Sequence, residues 1–276
     1  MDVLHRNHVT QRGTDGPVLL FAHGFGCSQT VWSEVACAFE SSHREFLFDY
    51  VGSGNASAAA FDEVRYSTLS GYVQDLLEVC DALHLQSDVT LVAHSVSCTI
   101  GMLAALERPG LFGRMILLGP SPCFINHPPE YIGGFERADL TDLLTLMEEN
   151  YVGWAEYLAP VAAGEAGPVA ADLTTRFCST DPVAAKAFAR ATFFSDQRTI
   201  LSRIHTPCLI LQNRDDVMAP QAVGEYLHQR LQGSTLQVLD ARGHCAHLSC
   251  PDLVIAAMRA YLFLTPAADP HRGVAG

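Results

Sequence analysis

Short apolar runs alternate with longer amphipathic stretches along this chain. The apolar runs have the length of buried strands and are bounded by turn residues. They lie at residues 17–23, 44–50, 88–94, 114–120, 207–213 and 234–240. The stretches with helical periodicity lie at residues 30–39, 67–85, 97–110, 220–231 and 251–263. This alternation predicts an α/β fold in which helices flank a mostly parallel central sheet.

The periodicity changes between residues 121 and 198, where the patterns are helical and rich in aromatic residues. We therefore expect an α/β core formed by residues 1–120 and 199–265, with residues 121–198 inserted as a helical unit between the two halves of the sheet. Residues 266–276 are rich in Pro, Gly and Ala and are predicted to be a disordered tail.

The composition is that of a globular protein with a large core. Of the 276 residues, 49% are hydrophobic and 17% are charged, and the formal net charge is −13. So acidic a chain is a poor partner for nucleic acid or for an anionic membrane surface. No apolar run reaches ~18 residues, and the N-terminal segment lacks an apolar signal region. We expect a cytoplasmic protein.

Nine cysteines raise the question of disulfides and metal sites. Their number is odd and no Cys-x-x-Cys motif occurs, so we interpret them as free thiols. His244, Cys245, His247 and Cys250 are residue types that bind zinc. Structural zinc sites usually take two ligand pairs from separate segments, and no second pair is evident in the sequence. The sequence therefore argues against a metal site in this segment.

The stretch LVAHSVSCTI, residues 91–100, places Ser95 between a predicted strand and a predicted helix. A nucleophile at such a turn needs small neighbours because its backbone is strained, and the usual motif is Gly-x-Ser-x-Gly. Ala93 and Ser97 occupy the two glycine positions here, which is a mild departure. A serine at this place can also be an ordinary helix N-cap, so the motif alone leaves both interpretations open.

A serine nucleophile needs a histidine to accept its proton and a carboxylate to orient that histidine. Asp215 and Asp216 follow one late strand, and His244 and His247 follow the next. The order Ser, Asp, His, with each residue after a strand, is that of α/β hydrolases. Gly243 lets the loop turn the imidazole of His244 over the sheet edge, which favours His244. The spacing leaves the choice between the two aspartates open.

The turn His-Gly-Phe-Gly at residues 23–26 follows the first predicted strand. Acyl transfer needs backbone N–H groups aimed at the oxyanion, and a glycine-containing turn at this place supplies one. We expect the donors to be the amides of Phe25 and Val96. The segment DYVGSG, residues 49–54, lacks the lysine and the spacing of a phosphate-binding loop, so we expect no nucleotide there and no cofactor.

Longer segments resemble one family within the α/β-hydrolase superfamily. They are AHGFGCSQTVW, FDYVGSG, HSVSCTIGMLAALERPGLF, GPSPCFINHPPEYIGGFE, NYVGWAEYLAP, RFCSTDPVAAKAFARATFFSD and ARGHCAHLS. These segments are similar to RsbQ-like hydrolases of bacterial stress pathways and to the karrikin and strigolactone receptors of plants. The similarity extends through the inserted helical region, which generic hydrolases do not share.

The resemblance implies an α/β-hydrolase core with a four-helix lid over a deep apolar pocket. It implies Ser95, Asp216 and His244 as a catalytic triad, with the amides of Phe25 and Val96 as the oxyanion hole. The family's usual Gly-His-Ser context begins with alanine here. The implied substrate-binding residues are mostly aromatic or apolar, and they are Phe25, His94, Phe135, Trp154, Leu158 and Phe193.

The resemblance also implies two roles. The first is a serine hydrolase, of carboxylesterase or lactonase type, that acts on a small apolar ester or butenolide-like lactone and is linked to signalling. The second is a ligand sensor that binds and activates a partner protein, with slow or vestigial hydrolysis and with the partner docking on the lid at residues 128–144. A haloalkane dehalogenase would need an aspartate in place of Ser95. A cofactor-free peroxidase could share the triad and stays open.

Overall fold

The computed structural model describes residues 1–264, so the predicted tail at 266–276 lies outside the described residues. Seven strands form one sheet, and they are β1 (Thr10–Arg12), β2 (Val18–Ala22), β3 (Arg44–Phe48), β4 (Val89–His94), β5 (Phe112–Leu118), β6 (Cys208–Asp215) and β7 (Thr235–Arg242). Their order is β1-β3-β2-β4-β5-β6-β7. Strand β1 is antiparallel to β3, and the other neighbours are parallel. The mostly parallel sheet predicted from the sequence is confirmed.

The helices precede, connect and follow these strands. They are α1 (Val3–Arg6), α2 (Ser33–Cys37), α3 (Leu69–Ala82), α4 (Val96–Glu107), α5 (Arg137–Glu149), α6 (Tyr151–Ala163), α7 (Pro168–Ser179), α8 (Pro182–Phe193), α9 (Gln221–Arg230), α10 (Ala246–Ser249) and α11 (Pro251–Leu264). Helix α3 packs against α4, and α2 packs against α11. Every residue of β4 is buried, as expected of a central parallel strand with both faces covered. None of the helices within residues 1–264 is long and apolar enough to cross a membrane.

Several short elements differ from the sequence pattern, among them β1 and the helix predicted at 30–39. Strand β1 was not predicted, because three residues at the sheet edge are too short to show an alternating pattern. The helix predicted at 30–39 is a 3-10 turn, Gln29–Trp32, followed by the five-residue α2. Trp32 is fully buried where the 3-10 turn meets α2. The apolar pattern around it predicts one continuous helix, whereas the structure has two short ones.

Helices α5–α8 lie between β5 and β6 in the chain, and we call them the inserted helices. Helix α6 packs against α5 and α7, while α8 packs against α5. Their buried aromatic residues, Trp154, Phe177, Phe188 and Phe193, gather around the ring of Phe25 from the core, with centroids 5.6–6.4 Å from it. The inserted helices therefore pack on the carboxyl edge of the sheet, where the loop after β2 emerges.

Candidate active site

Ser95 is the residue at which β4 turns into α4. Its φ of 57° and ψ of −125° lie in a region that residues with side chains rarely adopt, as expected of a strained nucleophile turn. Its N–H donates to the Leu118 carbonyl at 2.9 Å, which fixes the turn to the end of β5. The hydroxyl is hydrogen-bonded to His244 instead of capping α4. Ser95 therefore occupies the N-cap position of α4 without capping the helix through its side chain.

Small residues surround Ser95 because other groups approach it closely. A side chain at position 24 would place its Cβ 2.6 Å from His94 Nδ1 and 3.2 Å from Ser95 Cβ, so only Gly24 fits there. Ser97, one of the two residues in place of motif glycines, is fully buried and donates a hydrogen bond to the His23 carbonyl. Its hydroxyl is therefore used within the core.

His244 joins Ser95 to Asp216. Its Nε2 lies 2.8 Å from Ser95 Oγ and its Nδ1 lies 2.7 Å from Asp216 Oδ2. The other carboxylate oxygen of Asp216 accepts the N–H of Met218 at 2.9 Å and of Ala219 at 3.0 Å. The carboxylate fixes the His244 proton on Nδ1, which leaves Nε2 free to accept the proton of Ser95.

The structure separates the paired candidates that the sequence offered. The side chain of Asp215 is exposed, and its carbonyl accepts the N–H of Gly243 at 2.9 Å. His247 is buried against Trp32, with ring centroids 4.6 Å apart. Burial lowers the pKa of His247 to about 3, so this histidine stays neutral. It is Asp216 and His244 that are brought to Ser95.

The loop that carries His244 is held by both the core and the inserted helices. The N–H of His244 donates to the Ala162 carbonyl at the end of α6 at 2.7 Å. His94 Nε2 donates to the His244 carbonyl at 3.0 Å, and burial, with two neighbouring histidines, keeps the pKa of His94 well below its ordinary value. Gly243 has φ 77°, and a Cβ there would lie 2.2 Å from the Ala163 carbonyl oxygen. The imidazole is thus placed through backbone contacts on two sides.

The two residues whose amides are the predicted oxyanion donors, Phe25 and Val96, both lie close to Ser95. Val96 is the first residue of α4, and an N–H in the first turn of a helix has no acceptor within that helix. Phe25 follows Gly24, the residue whose backbone comes close to Ser95 Cβ. The amides of Phe25 and Val96 therefore stay the predicted donors to a tetrahedral oxyanion.

A cavity of about 30 Å³ lies beside Ser95 and His244. Four of the six residues predicted for the pocket line it, and they are Phe25, His94, Leu158 and Phe193. The lining also includes residues that were not predicted for the pocket, namely Cys27, Phe124, Ala162, Leu173, Phe177, Thr192, Met218 and Cys245. Because a volume of this size suits roughly one water molecule, a larger ligand requires the aromatic side chains to move.

The other two predicted pocket residues lie outside this lining. The Trp154 ring packs behind it, 5.9 Å from the Phe25 ring and 5.3 Å from the Phe177 ring. Phe135 lies in the connection before α5, where its N–H donates to the Phe124 carbonyl at 3.1 Å. In the sequence, Phe177 is one of several apolar residues on the buried face of α7. It reaches the cavity because α6 and α7 pack around Phe25, which the sequence pattern does not indicate.

The residues weighed as zinc ligands in the 244–250 segment are not brought together as a metal cluster in the described part of the chain. Within residues 1–264, the one group whose three donor atoms lie within 4.8 Å of one another is Cys123, His127 and Asp196, which the sequence did not indicate. Asp196 is already paired with Arg198 at 2.6 Å. The structure thus directs His244 to Ser95 and Asp216.

Known sequences bear out the resemblance. The model of the alpha/beta hydrolase family matches residues 19–257. A strigolactone esterase of Pisum sativum is 38% identical over 251 residues, which cover 90% of this chain and 94% of that protein. A karrikin insensitive 2 receptor of Petunia hybrida is 36% identical over 249 residues, which cover 89% of this chain and 90% of the receptor.

Solved structures agree with these matches. A hydrolase from Oleispira antarctica has a TM-score of 0.93 and 40% identity, covering 96% of this chain and 97% of its own. An enol-lactonase from Burkholderia xenovorans, at 18% identity and a TM-score of 0.79, shares the fold, with 93% of this chain and 96% of its own covered. The chain therefore belongs to the α/β-hydrolase family, in the group that contains the strigolactone esterases and karrikin receptors.

Proposed function

We propose that this chain is a serine hydrolase of carboxylesterase or lactonase type that acts on a small apolar ester or butenolide-like lactone. The observation that carries the proposal is the continuous hydrogen-bonded chain from Asp216 through His244 to Ser95, which ends beside an apolar cavity. All three residues are at most 6% exposed, so competing water is largely kept from the relay.

The first half of the reaction forms an acyl-enzyme. Ser95 Oγ attacks the substrate carbonyl while His244 Nε2 takes the hydroxyl proton, and Asp216 stabilises the imidazolium that results. The N–H groups of Phe25 and Val96 hold the tetrahedral oxyanion. His244 then gives its proton to the departing alkoxide. In a lactone, this alkoxide stays attached to the acyl group as a free hydroxyl.

The second half releases the acid. His244 Nε2 takes a proton from a water molecule, whose oxygen attacks the acyl carbon of the ester on Ser95. The same two amides hold the second oxyanion, and the proton on His244 returns to Ser95 Oγ as the C–O bond breaks. No metal or cofactor takes part in this scheme.

The proposed substrate class follows from the lining. Phe25, Leu158, Phe177 and Phe193 offer apolar surface, which favours an apolar body around the scissile carbonyl. The small volume sets an upper limit on size in the absence of side-chain movement. In the same proposal, the inserted helices act as a lid that admits the ligand when α6 and α7 move away from Phe25.

The test is turnover of p-nitrophenyl acetate by purified protein. Ser95→Ala should lower kcat/KM by at least about 10³-fold and abolish labelling by a fluorophosphonate probe. Ser97→Ala is the matched control, because Ser97 lies two residues away with its hydroxyl bonded in the core. Turnover that survives in Ser95→Ala would rule out the proposed nucleophile.

A second candidate function is a ligand sensor with a protein partner. It is favoured by the hydrogen bond between His244 N–H and the Ala162 carbonyl, since a shift of His244 would move the end of α6. The similarity to a karrikin insensitive 2 receptor also favours a sensor function. The proposed docking face, residues 128–144, carries Ile132, a large apolar side chain that is 47% exposed.

Hydrogen exchange with a simple butenolide tests the sensor function. Wild-type protein that reacts with the ligand should show altered amide protection in α6 and in residues 128–144, whereas Ser95→Ala should not. Affinity capture with the ligand-treated protein should then depend on Ile132, with Ile132→Asp reducing partner binding. Exchange in α6 that is unaffected by ligand would contradict the sensor hypothesis and leave the hydrolase proposal standing.

A further inference from the structure

One threonine of the inserted helices, Thr192, differs from the others in its hydrogen bonding. Those at positions 141, 145, 174 and 175 each donate their hydroxyl to the backbone carbonyl four residues earlier, at 2.9–3.0 Å. Thr192, near the end of α8, is 1% exposed, and its Oγ1 finds no hydrogen-bond partner among residues 1–264. A buried hydroxyl without a partner is rare in native proteins and calls for an explanation.

Thr192 is also one of the residues that line the cavity beside Ser95. Within the described chain, one other cavity-lining residue carries a buried side-chain nitrogen or oxygen without a partner, and it is His94 through its Nδ1. That nitrogen is covered by Gly24, where even a Cβ would approach it to 2.6 Å. Thr192 Oγ1 is therefore the polar atom left for a ligand once Ser95 and His244 are engaged in the relay.

The rest of the lining explains why one hydroxyl matters. It consists mainly of aromatic rings, aliphatic side chains and the thiols of Cys27 and Cys245. Burial raises the pKa of both thiols, so they stay protonated and uncharged. In such a site, a hydroxyl can pair with a ligand oxygen that would otherwise lose its hydrogen bonds to water on entering.

We propose that Thr192 is a specificity-determining residue whose hydroxyl donates a hydrogen bond to a second oxygen of the substrate, apart from the scissile ester group. The substrate class is then a small ester or lactone that carries an additional ether, carbonyl or ring oxygen. This inference rests on the proposed hydrolase function and narrows it. It assigns Thr192 to ligand selection, with no part in proton transfer.

Two isosteric substrate pairs test the assignment. In the first pair, p-nitrophenyl methoxyacetate and p-nitrophenyl butyrate differ by an oxygen in place of a CH₂ on the acyl side. In the second, 2-methoxyethyl acetate and butyl acetate differ in the same way on the alcohol side, with hydrolysis followed by pH-stat. The quantity compared is the ratio of kcat/KM for the oxygen-containing member to that for its partner. Intrinsic reactivity differences cancel when this ratio is compared between variants.

Thr192→Val should lower this ratio by about tenfold for at least one pair, because the variant keeps the shape and removes the hydroxyl. Thr192→Ser keeps the hydroxyl and should retain the ratio. Thr174→Val is the matched control. It removes a threonine hydroxyl from α7 at a position that does not line the cavity. Thr192→Ala removes the hydroxyl by a second route if the valine variant is poorly folded.

The outcomes separate cleanly. A ratio that falls in the valine or alanine variant and is kept in the serine variant supports the inference and tells which side of the ester faces Thr192. Ratios unchanged for both pairs, or lost equally in Thr192→Ser, overturn it. Loss of turnover in Ser95→Ala together with unchanged ratios would leave the hydrolase proposal intact while removing the role of Thr192.

Discussion

The sheet core and the inserted helices contribute to the site in different ways. The core supplies Ser95, Asp216 and His244 from the ends of β4, β6 and β7, each fixed by hydrogen bonds of 3.0 Å or less. The inserted helices supply the rings of Phe177 and Phe193, held mainly by packing against Phe25. Hydrogen bonds fix direction as well as distance, whereas packing of rings fixes mainly shape.

The core therefore determines the chemistry, whereas the inserted helices determine which ligand is accepted. A change in the core should alter the rate for every substrate, because the relay acts on all of them. A change in the inserted helices should alter the ratio between substrates. Among residues 1–264, the backbone hydrogen bond from His244 N–H to the Ala162 carbonyl links the two regions at the relay. A change there should affect both the rate and the choice of substrate.

Asp216→Asn should lower the rate more than any other substitution in the core considered below. The N–H groups of Met218 and Ala219 would orient the amide oxygen of the new asparagine, which leaves its NH₂ group facing His244 Nδ1. That Nδ1 would then have to accept, so the proton moves to Nε2 and Ser95 loses its base. We expect kcat on p-nitrophenyl acetate to fall about 10⁴-fold.

Asp215→Asn is the control for this substitution. Asp215 is the adjacent residue, but its side chain is exposed, and its link to the site runs through its carbonyl and Gly243. The kcat of Asp215→Asn should stay within about twofold of wild type, since substitutions of exposed side chains rarely disturb buried groups. Equal losses in the two variants would mean that the loop, and not the carboxylate of Asp216, is responsible.

The sequence pattern indicated which residues would lie together at the ends of the strands. Parallel strands end at one edge, so residues that follow them must lie close together whatever the detail of packing. This is why Ser95, Asp216 and His244 are found together. The choice between neighbouring aspartates came from family resemblance, because adjacent residues after a strand differ only in the loop geometry that turns one of them inward.

The next effect concerns acid stability and distinguishes the two regions again. The core holds His23, His94 and His247 in buried positions with lowered pKa values, whereas residues 137–193 contain no histidine. His247 has a folded-state pKa of about 3, against an ordinary value of 6.5. As pH falls below 6.5, the unfolded chain binds a proton that the folded chain refuses, so stability is lost.

The variant His247→Phe should remove this contribution. Neither ring nitrogen of His247 has a hydrogen-bond partner within the described chain, so phenylalanine keeps the ring against Trp32 without breaking a bond. Between pH 7.5 and pH 5, the wild-type free energy of unfolding should fall by about 2 kcal/mol more than that of the variant. Urea unfolding at the two pH values measures this. Equal falls would show that His247 is protonated in the folded protein.

The pocket was predicted less well than the relay. Trp154 packs behind the lining and Phe135 lies in the connection before α5, while Phe177 and Thr192 line the cavity. Periodicity tells which face of a helix is buried, but not which of its buried residues meets the cavity. That depends on how α6, α7 and α8 cross one another, which no local sequence pattern encodes.

A smaller effect, confined to substrate choice, is expected from Phe177→Leu. The shorter side chain would enlarge the cavity beside Phe25, so the ratio of kcat/KM for p-nitrophenyl hexanoate to that for the acetate should rise about tenfold. Tyr157→Leu on α6 is the control, since this ring is 61% exposed. A uniform loss of rate for both esters would indicate that α7 contributes to the relay and would weaken the division between the two regions.

The smallest effect is expected at Ala93, where the family's usual glycine is absent. Ala93 is fully buried on β4, so Ala93→Gly loses a packed methyl group and adds backbone freedom, which should cost about 1 kcal/mol of stability. Turnover should stay within about threefold, because the Ser95 turn is held by the Leu118 carbonyl and by the close approach of Gly24. Ala22→Gly is the matched control, since Ala22 is the partner of Ala93 in the register of β2 and β4. Both variants should lose similar stability, and a rate gain above about tenfold confined to Ala93→Gly would show that the methyl group restrains the nucleophile.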